Sequence, residues 1–162
     1  MNKLMLIAVG ALAAHPAFAA ERITAATYVA EAGASDLYEV QSSLLVLGET
    51  RDARLKAFAQ MMVDDHGRSI QDVVAAAKVD GLTPVAPKLM AKQADMIASL
   101  TKASGAARDT LYRKQQVLAH EEALALQRTY AATGDRTHLK AAAAEIVPVV
   151  EKHLAELKSM AR

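Results

Sequence analysis

From about residue 24 onward, apolar residues recur at steps of three and four, a helical rather than a strand period, and glycine and proline mostly fall between the periodic stretches. This punctuation predicts five helices, near 24–47, 51–79, 87–103, 106–132 and 136–161. Gly48 ends the first, and Thr50 is placed to cap the second by accepting from the free N–H groups of its first turn. Gly81, Pro84 and Pro87 make the longest linker, and Ser104-Gly105 separates the third helix from the fourth. Gly134, which tolerates left-handed backbone, precedes Asp135 as an acidic N-cap of the fifth. Pro148 lies inside that last helix, where its missing N–H predicts a kink about one turn before His153. Four long helices and a short one predict an all-α bundle.

The same periodicity locates the interior. In the second helix Leu55, Ala59, Met62, His66, Ile70, Val73 and Ala77 share a face, and in the fifth Leu139, Ala142, Ile146, Val149, His153, Leu157 and Met160 do the same. His66 and His153 therefore stand where apolar residues are expected. The fourth helix is less clean, with Leu111, Leu118 and Leu126 on one side and Val117, His120 and Leu124 on another. The first carries Leu37, Val40, Leu44 and Leu47 as its main stripe, leaving Glu39 on a flank. A single histidine on an apolar stripe is usually a core residue bonded to a carbonyl or hydroxyl. Three on three long helices also suit a metal site, because bundles build such sites from side chains converging from different helices. His138, in a first turn, reads as solvated.

Composition narrows the setting. Lys3, the apolar run Leu4 to Leu12 and Ala17-Phe18-Ala19 read as a cleavable signal peptide over residues 1–20, which predicts export to the periplasm and a working domain over 21–162. No later stretch approaches the roughly 20 apolar residues that a transmembrane helix needs. Loss of Lys3 with the leader reduces the 19 basic residues to 18, equal to the 18 acidic ones, and a neutral chain argues against nucleic acid as a partner. With no cysteine there is neither disulfide nor thiolate ligand, and packing alone must hold the fold. No Gly-x-Ser-x-Gly elbow, phosphate loop or catalytic carboxylate pair is present, so catalysis is not indicated. Met61 and Met62, one turn before His66, could offer copper a thioether, but Met62 sits on the apolar stripe as a gap filler.

Several segments together resemble a known family. These are Glu39 after Tyr38, the run Phe58-Ala59-Gln60-Met61-Met62-Val63-Asp64-Asp65-His66, Tyr112 eight residues before His120, and Pro148 five before His153. The likeness is to DUF4142, a widespread domain of exported bacterial proteins assigned to the ferritin-like superfamily. It extends from about Thr27 to Met160. Members usually show Ser-Gly-x-x-Phe-Asp-x-x-Tyr at the fourth helix start, and here Arg108 replaces the Phe. The resemblance implies a ferritin-like four-helix bundle with one extra short helix, and places the family's recurring polar residues on Glu39, Asp65, His66, His120 and His153.

A di-iron carboxylate site would need Glu-x-x-His pairs, yet Val63, Val117 and Val150 stand three residues before the three histidines. A histidine-rich set suits one divalent transition metal, zinc, copper or iron, with His66, His120 and His153 as ligands. Glu39 is then a fourth ligand or the acceptor that fixes an imidazole tautomer. Asp65 points about 100° away from His66 around the helix and is expected to pair with a basic residue or to cap a neighbouring helix. Three readings follow: a periplasmic metal-binding bundle in metal buffering or envelope stress tolerance, a non-catalytic bundle with structural histidines that meets an envelope partner or a second copy, and an oxidative-defence metalloenzyme.

Overall fold

A computed structural model describes residues 22–160, so the leader read over residues 1–20 lies outside the described residues. Five helices account for most of them: α1 (Ala25–Leu47), α2 (Ala53–Val79), α3 (Ala91–Lys102), α4 (Gly105–Thr133) and α5 (Thr137–Met160). None is long and apolar enough to cross a membrane. The all-α bundle with one extra short helix is the architecture expected from the punctuation.

Around the bundle α1 packs on α2, α2 on α5, α5 on α4 and α4 on α1, while α3 lies against α1 and α4. Two apolar clusters fix the helix directions. Val46, Leu55, Phe58, Met62, Leu100, Tyr112, Leu154 and Leu157 fill one end, and Ala25, Tyr28, Ala32, Val73, Ala77, Tyr130, Leu139 and Ala143 fill the other. α1 and α5 thus run one way and α2 and α4 the other, so each short-loop pair is antiparallel while α2 and α4 are parallel. The chain must return along the bundle between them, and the linker with α3 makes that single long crossover, a connectivity that ferritin-like bundles share.

Local chemistry explains the boundaries and corrects some expected ones. Asp52, not Thr50, caps α2, its Oδ1 accepting from Arg54 and Leu55 N–H at 2.9 and 3.1 Å. It stands directly before the first helical residue, whereas Thr50 donates to Asp109 Oδ2. At the C-terminus of α2, Gly81 takes φ 82° and lets Leu82 N–H reach back to the Ala77 carbonyl, which closes the helix. Asp80 in the same turn accepts from the backbone N–H groups of His138 and Leu139 and so caps α5, in place of the expected Asp135. Asp135 instead accepts from the Tyr130 hydroxyl. His138 is exposed as expected but is held by Asp80 Oδ1 at 2.8 Å. Gly134 is not left-handed, with φ −55° and ψ 153°; it is small because an added Cβ would lie 2.6 Å from the Tyr130 carbonyl. α5 continues through Pro148 as one helix.

Three predicted stripes are rotated. In α5 the buried positions are Leu139, Ala143, Val150, His153, Leu154 and Leu157, with Val149 turned out at 38% exposure. In α4 the interior face is Arg108, Tyr112, Gln115, Gln116, Ala119, His120, Ala123, Gln127 and Tyr130, while Leu118 is exposed. In α1 it is Tyr28, Ala32, Asp36, Glu39, Ser43 and Val46 that turn inward, whereas Leu44 is exposed. The reason is mutual satisfaction, since a polar group can be buried when its partner comes with it. Tyr28 O–H donates to Gln127 Oε1 at 2.7 Å, Tyr38 O–H to Gln115 Oε1 at 3.0 Å, and Tyr112 shares a 2.7 Å hydrogen bond with Ser43.

Arg108 closes one end of the bundle. Its Nε donates to the carbonyls of Leu100 and Ala103, and Nη1 to the Leu45 carbonyl and to Glu49 at 2.8 Å. It therefore satisfies the free carbonyls where α1 and α3 end. Arg108→Ala is expected to destabilise the fold by about 2–3 kcal/mol, the effect of leaving several of these carbonyls without a donor. Chemical denaturation of the two proteins checks this, and the transition should keep its slope.

Candidate metal centre

Between the two apolar clusters lies a polar layer, and every long helix contributes to it. α1 brings Asp36 and Glu39, one turn apart on the same face; α2 brings His66, α4 His120 and α5 His153. All three histidines are buried, and one ring nitrogen from each lies within 4.8 Å of the other two. Their ring centroids are 5.3 to 5.5 Å apart. Phe58 packs near His120 and His153 and walls the layer from the apolar end below.

Each imidazole is oriented by an acceptor on its other nitrogen. His66 Nδ1 is 2.8 Å from Asp36 Oδ1, His120 Nδ1 is 2.9 Å from the Gln116 carbonyl, and His153 Nε2 is 3.1 Å from Asp65 Oδ2. A carboxylate and a backbone carbonyl accept, so these three nitrogens carry the protons. The remaining nitrogens, His66 Nε2, His120 Nε2 and His153 Nδ1, are then the free ones. His120 Nε2 and His153 Nδ1 face each other at 3.3 Å, and His66 Nε2 has no partner among the described residues. Two imidazole nitrogens on a tetrahedral zinc at about 2.0–2.1 Å would be about 3.3–3.4 Å apart. The pair is thus spaced like one edge of a coordination tetrahedron.

Burial works against charge on most groups of the layer. Burial pushes Glu39 up to about 7, against the opposing pull of His66; both its oxygens are unpartnered, and Oε1 is 3.5 Å from His120 Nδ1. Burial holds His120 well below the ordinary imidazole value, helped by the charge of His66 and His153. Burial likewise lowers His153 to about 4, although Asp65 works the other way. At His66 burial opposes the charged ring, but the hydrogen bond and charge of Asp36, with Glu39 and Asp65 behind, outweigh it and raise the pKa. The ring beside Asp36 is therefore where positive charge is best tolerated.

The sequence-derived candidates separate accordingly. His66, His120 and His153 meet; Glu39 lies beside His120 and is buried rather than on a solvated flank. Asp65 is outside the trio, supporting His153 and pairing at 3.6 Å with Arg68. Asp36 is the residue that sequence reasoning missed. Its signal was its place three residues before Glu39 on a face otherwise made of small residues and tyrosine.

Residues 10–160 match the family described as a domain of unknown function, DUF4142. The chain belongs to this family. Among curated proteins none matches this DUF4142 sequence. A crystal structure of a putative secreted protein, DUF305, from Streptomyces coelicolor is similar in fold, with a TM-score of 0.69 at 14% identity, covering 85% of this chain and 90% of that one. At that identity the likeness concerns the fold alone. The two chains thus share a helical architecture, and in this DUF4142 member three buried histidines are placed where they could hold a metal.

Proposed function

We propose that this DUF4142 protein is an exported, ferritin-like metal-binding bundle that holds one divalent transition-metal ion through His66, His120 and His153, in metal buffering or envelope stress tolerance in the periplasm. The observation that carries the reading is the pairing of lone pairs at the centre. With Nδ1 of His120 and Nε2 of His153 committed to acceptors, two unshared pairs would face each other at 3.3 Å unless a cation or a proton lies between them. Neutral imidazole suits zinc, copper or iron. Asp36 and Asp65 bring negative charge to the rings, as second-layer carboxylates do in histidine metal sites. Glu39 lies on the Nδ1 side of His120, behind the ring rather than beside the nitrogen given to the ion. Such an ion would act as a Lewis acid if a coordination position stayed open, and would be stored if all were filled.

Untagged protein purified from the periplasm should carry about one equivalent of transition metal, and the His66→Ala/His153→Ala variant none, by elemental analysis. If both were metal-free, and added zinc, copper or iron left the melting temperature unchanged, the histidines would be structural.

A further inference from the structure

A cleft of about 480 Å³ opens between α2 and α5, and two of the three histidines, His66 and His153, lie on its wall. His120 is fully buried and is not part of that wall. The cleft therefore brings solvent up to two of the three rings. Ser69, three residues after His66 and so on the same face of α2, also lines the cleft. Its Oγ is buried and has no hydrogen-bond partner, although a helical serine usually bonds the carbonyl one turn back. Ile146 and Val150 form apolar wall, while Arg68 and Lys152 share the lining with Asp65, Asp72 and Glu145.

We infer that the α2–α5 cleft is the ligand-exchange side of the centre: an ion held by the three histidines keeps a coordination position open to it, occupied by water or by a two- or three-atom anion hydrogen-bonded to Ser69 Oγ. This rests on the metal reading above. Three nitrogen donors with an exchangeable fourth position are the arrangement of sites that do chemistry or hand over their metal, whereas four protein donors close a site. The serine hydroxyl would otherwise be buried at a cost of about 1–3 kcal/mol with nothing to offset it.

The test uses the full mature protein loaded with one equivalent of Co²⁺ and titrated with azide. The visible cobalt bands should shift and saturate in wild type. Ser69→Ala should bind cobalt with the same stoichiometry but need roughly ten-fold more azide, the effect of one lost hydrogen bond. Ile146→Trp, which fills the cleft, should keep the cobalt bands and lose the azide response. Cobalt bands that are abolished by His66→Ala yet unmoved by azide in wild type would show a closed site and overturn the inference while leaving the metal centre standing. Equal azide affinity in wild type and Ser69→Ala would overturn the role given to the hydroxyl. Failure of wild type to bind cobalt at the histidines would sink the metal centre, and the open position with it.

Discussion

Glu39→Gln should stabilise the metal-free protein by about 3 kcal/mol at pH 8 and leave it almost unchanged at pH 4. The carboxyl of Glu39 is buried with both oxygens unpartnered, and burial raises its pKa from 4.5 to about 7. A folded-state value above the unfolded one means that the folded chain holds the proton more tightly. The stability from that proton is fully present below pH 4.5 and fades as pH rises towards 7 and beyond. Glutamine imitates the protonated acid at every pH, so the gain appears only where the glutamate would ionise. His153, whose folded value is depressed, has the opposite dependence and loses stability as pH falls, as does His120. The difference between the two proteins' denaturation curves across pH 4 to 8 isolates Glu39. A pH-independent difference would mean that the carboxyl is solvated or already paired.

Asp36→Ala should weaken metal binding by about 10–100-fold while leaving all three histidines in place. Asp36 accepts from His66 Nδ1 at 2.8 Å, and that bond sets which nitrogen faces His120 and His153. Without it the proton is free to move to Nε2, where it competes with the ion, and the ring loses its fixed orientation. Competition with a chromophoric zinc chelator measures the change. Asp36→Asn, whose amide oxygen can still accept from Nδ1–H, should recover part of the loss. Equal affinities in wild type and Asp36→Ala would separate the aspartate from the centre.

The helices were legible because their ends are written in local chemistry, as at Gly48, at Gly81 with the prolines after it, and at Ser104-Gly105. His66 stood out because it interrupts a stripe that is otherwise apolar from Leu55 to Ala77. α4 was misread because its interior face is Tyr112, Gln116, Ala119, Ala123, Gln127 and Tyr130, residues whose burial depends on partners in α1. Of the leucines there, Leu118 is exposed, while Leu111, Leu124 and Leu126 are partly buried against the core. In α1 the hydrophobic stripe likewise pointed away from the true interior, hiding Asp36 and demoting Glu39. Val149 and Val150 show the limit of periodicity: both are apolar and adjacent, and only packing decides that Val150 is buried. Distances between helices carry no mark in a single sequence, so the contacts from Asp36 to His66 and from Asp65 to His153 had to be seen.

The single crossover divides the centre as it divides the chain. The α1–α2 hairpin holds Asp36 and His66, the α4–α5 hairpin holds His120 and His153, and the two meet where Asp65, on α2, reaches His153 and Glu39, on α1, lies against His120. Neither hairpin contains enough donors to retain an ion by itself. An ion at the histidines would therefore be a staple between two halves far apart in the chain, added to the apolar clusters that already join them.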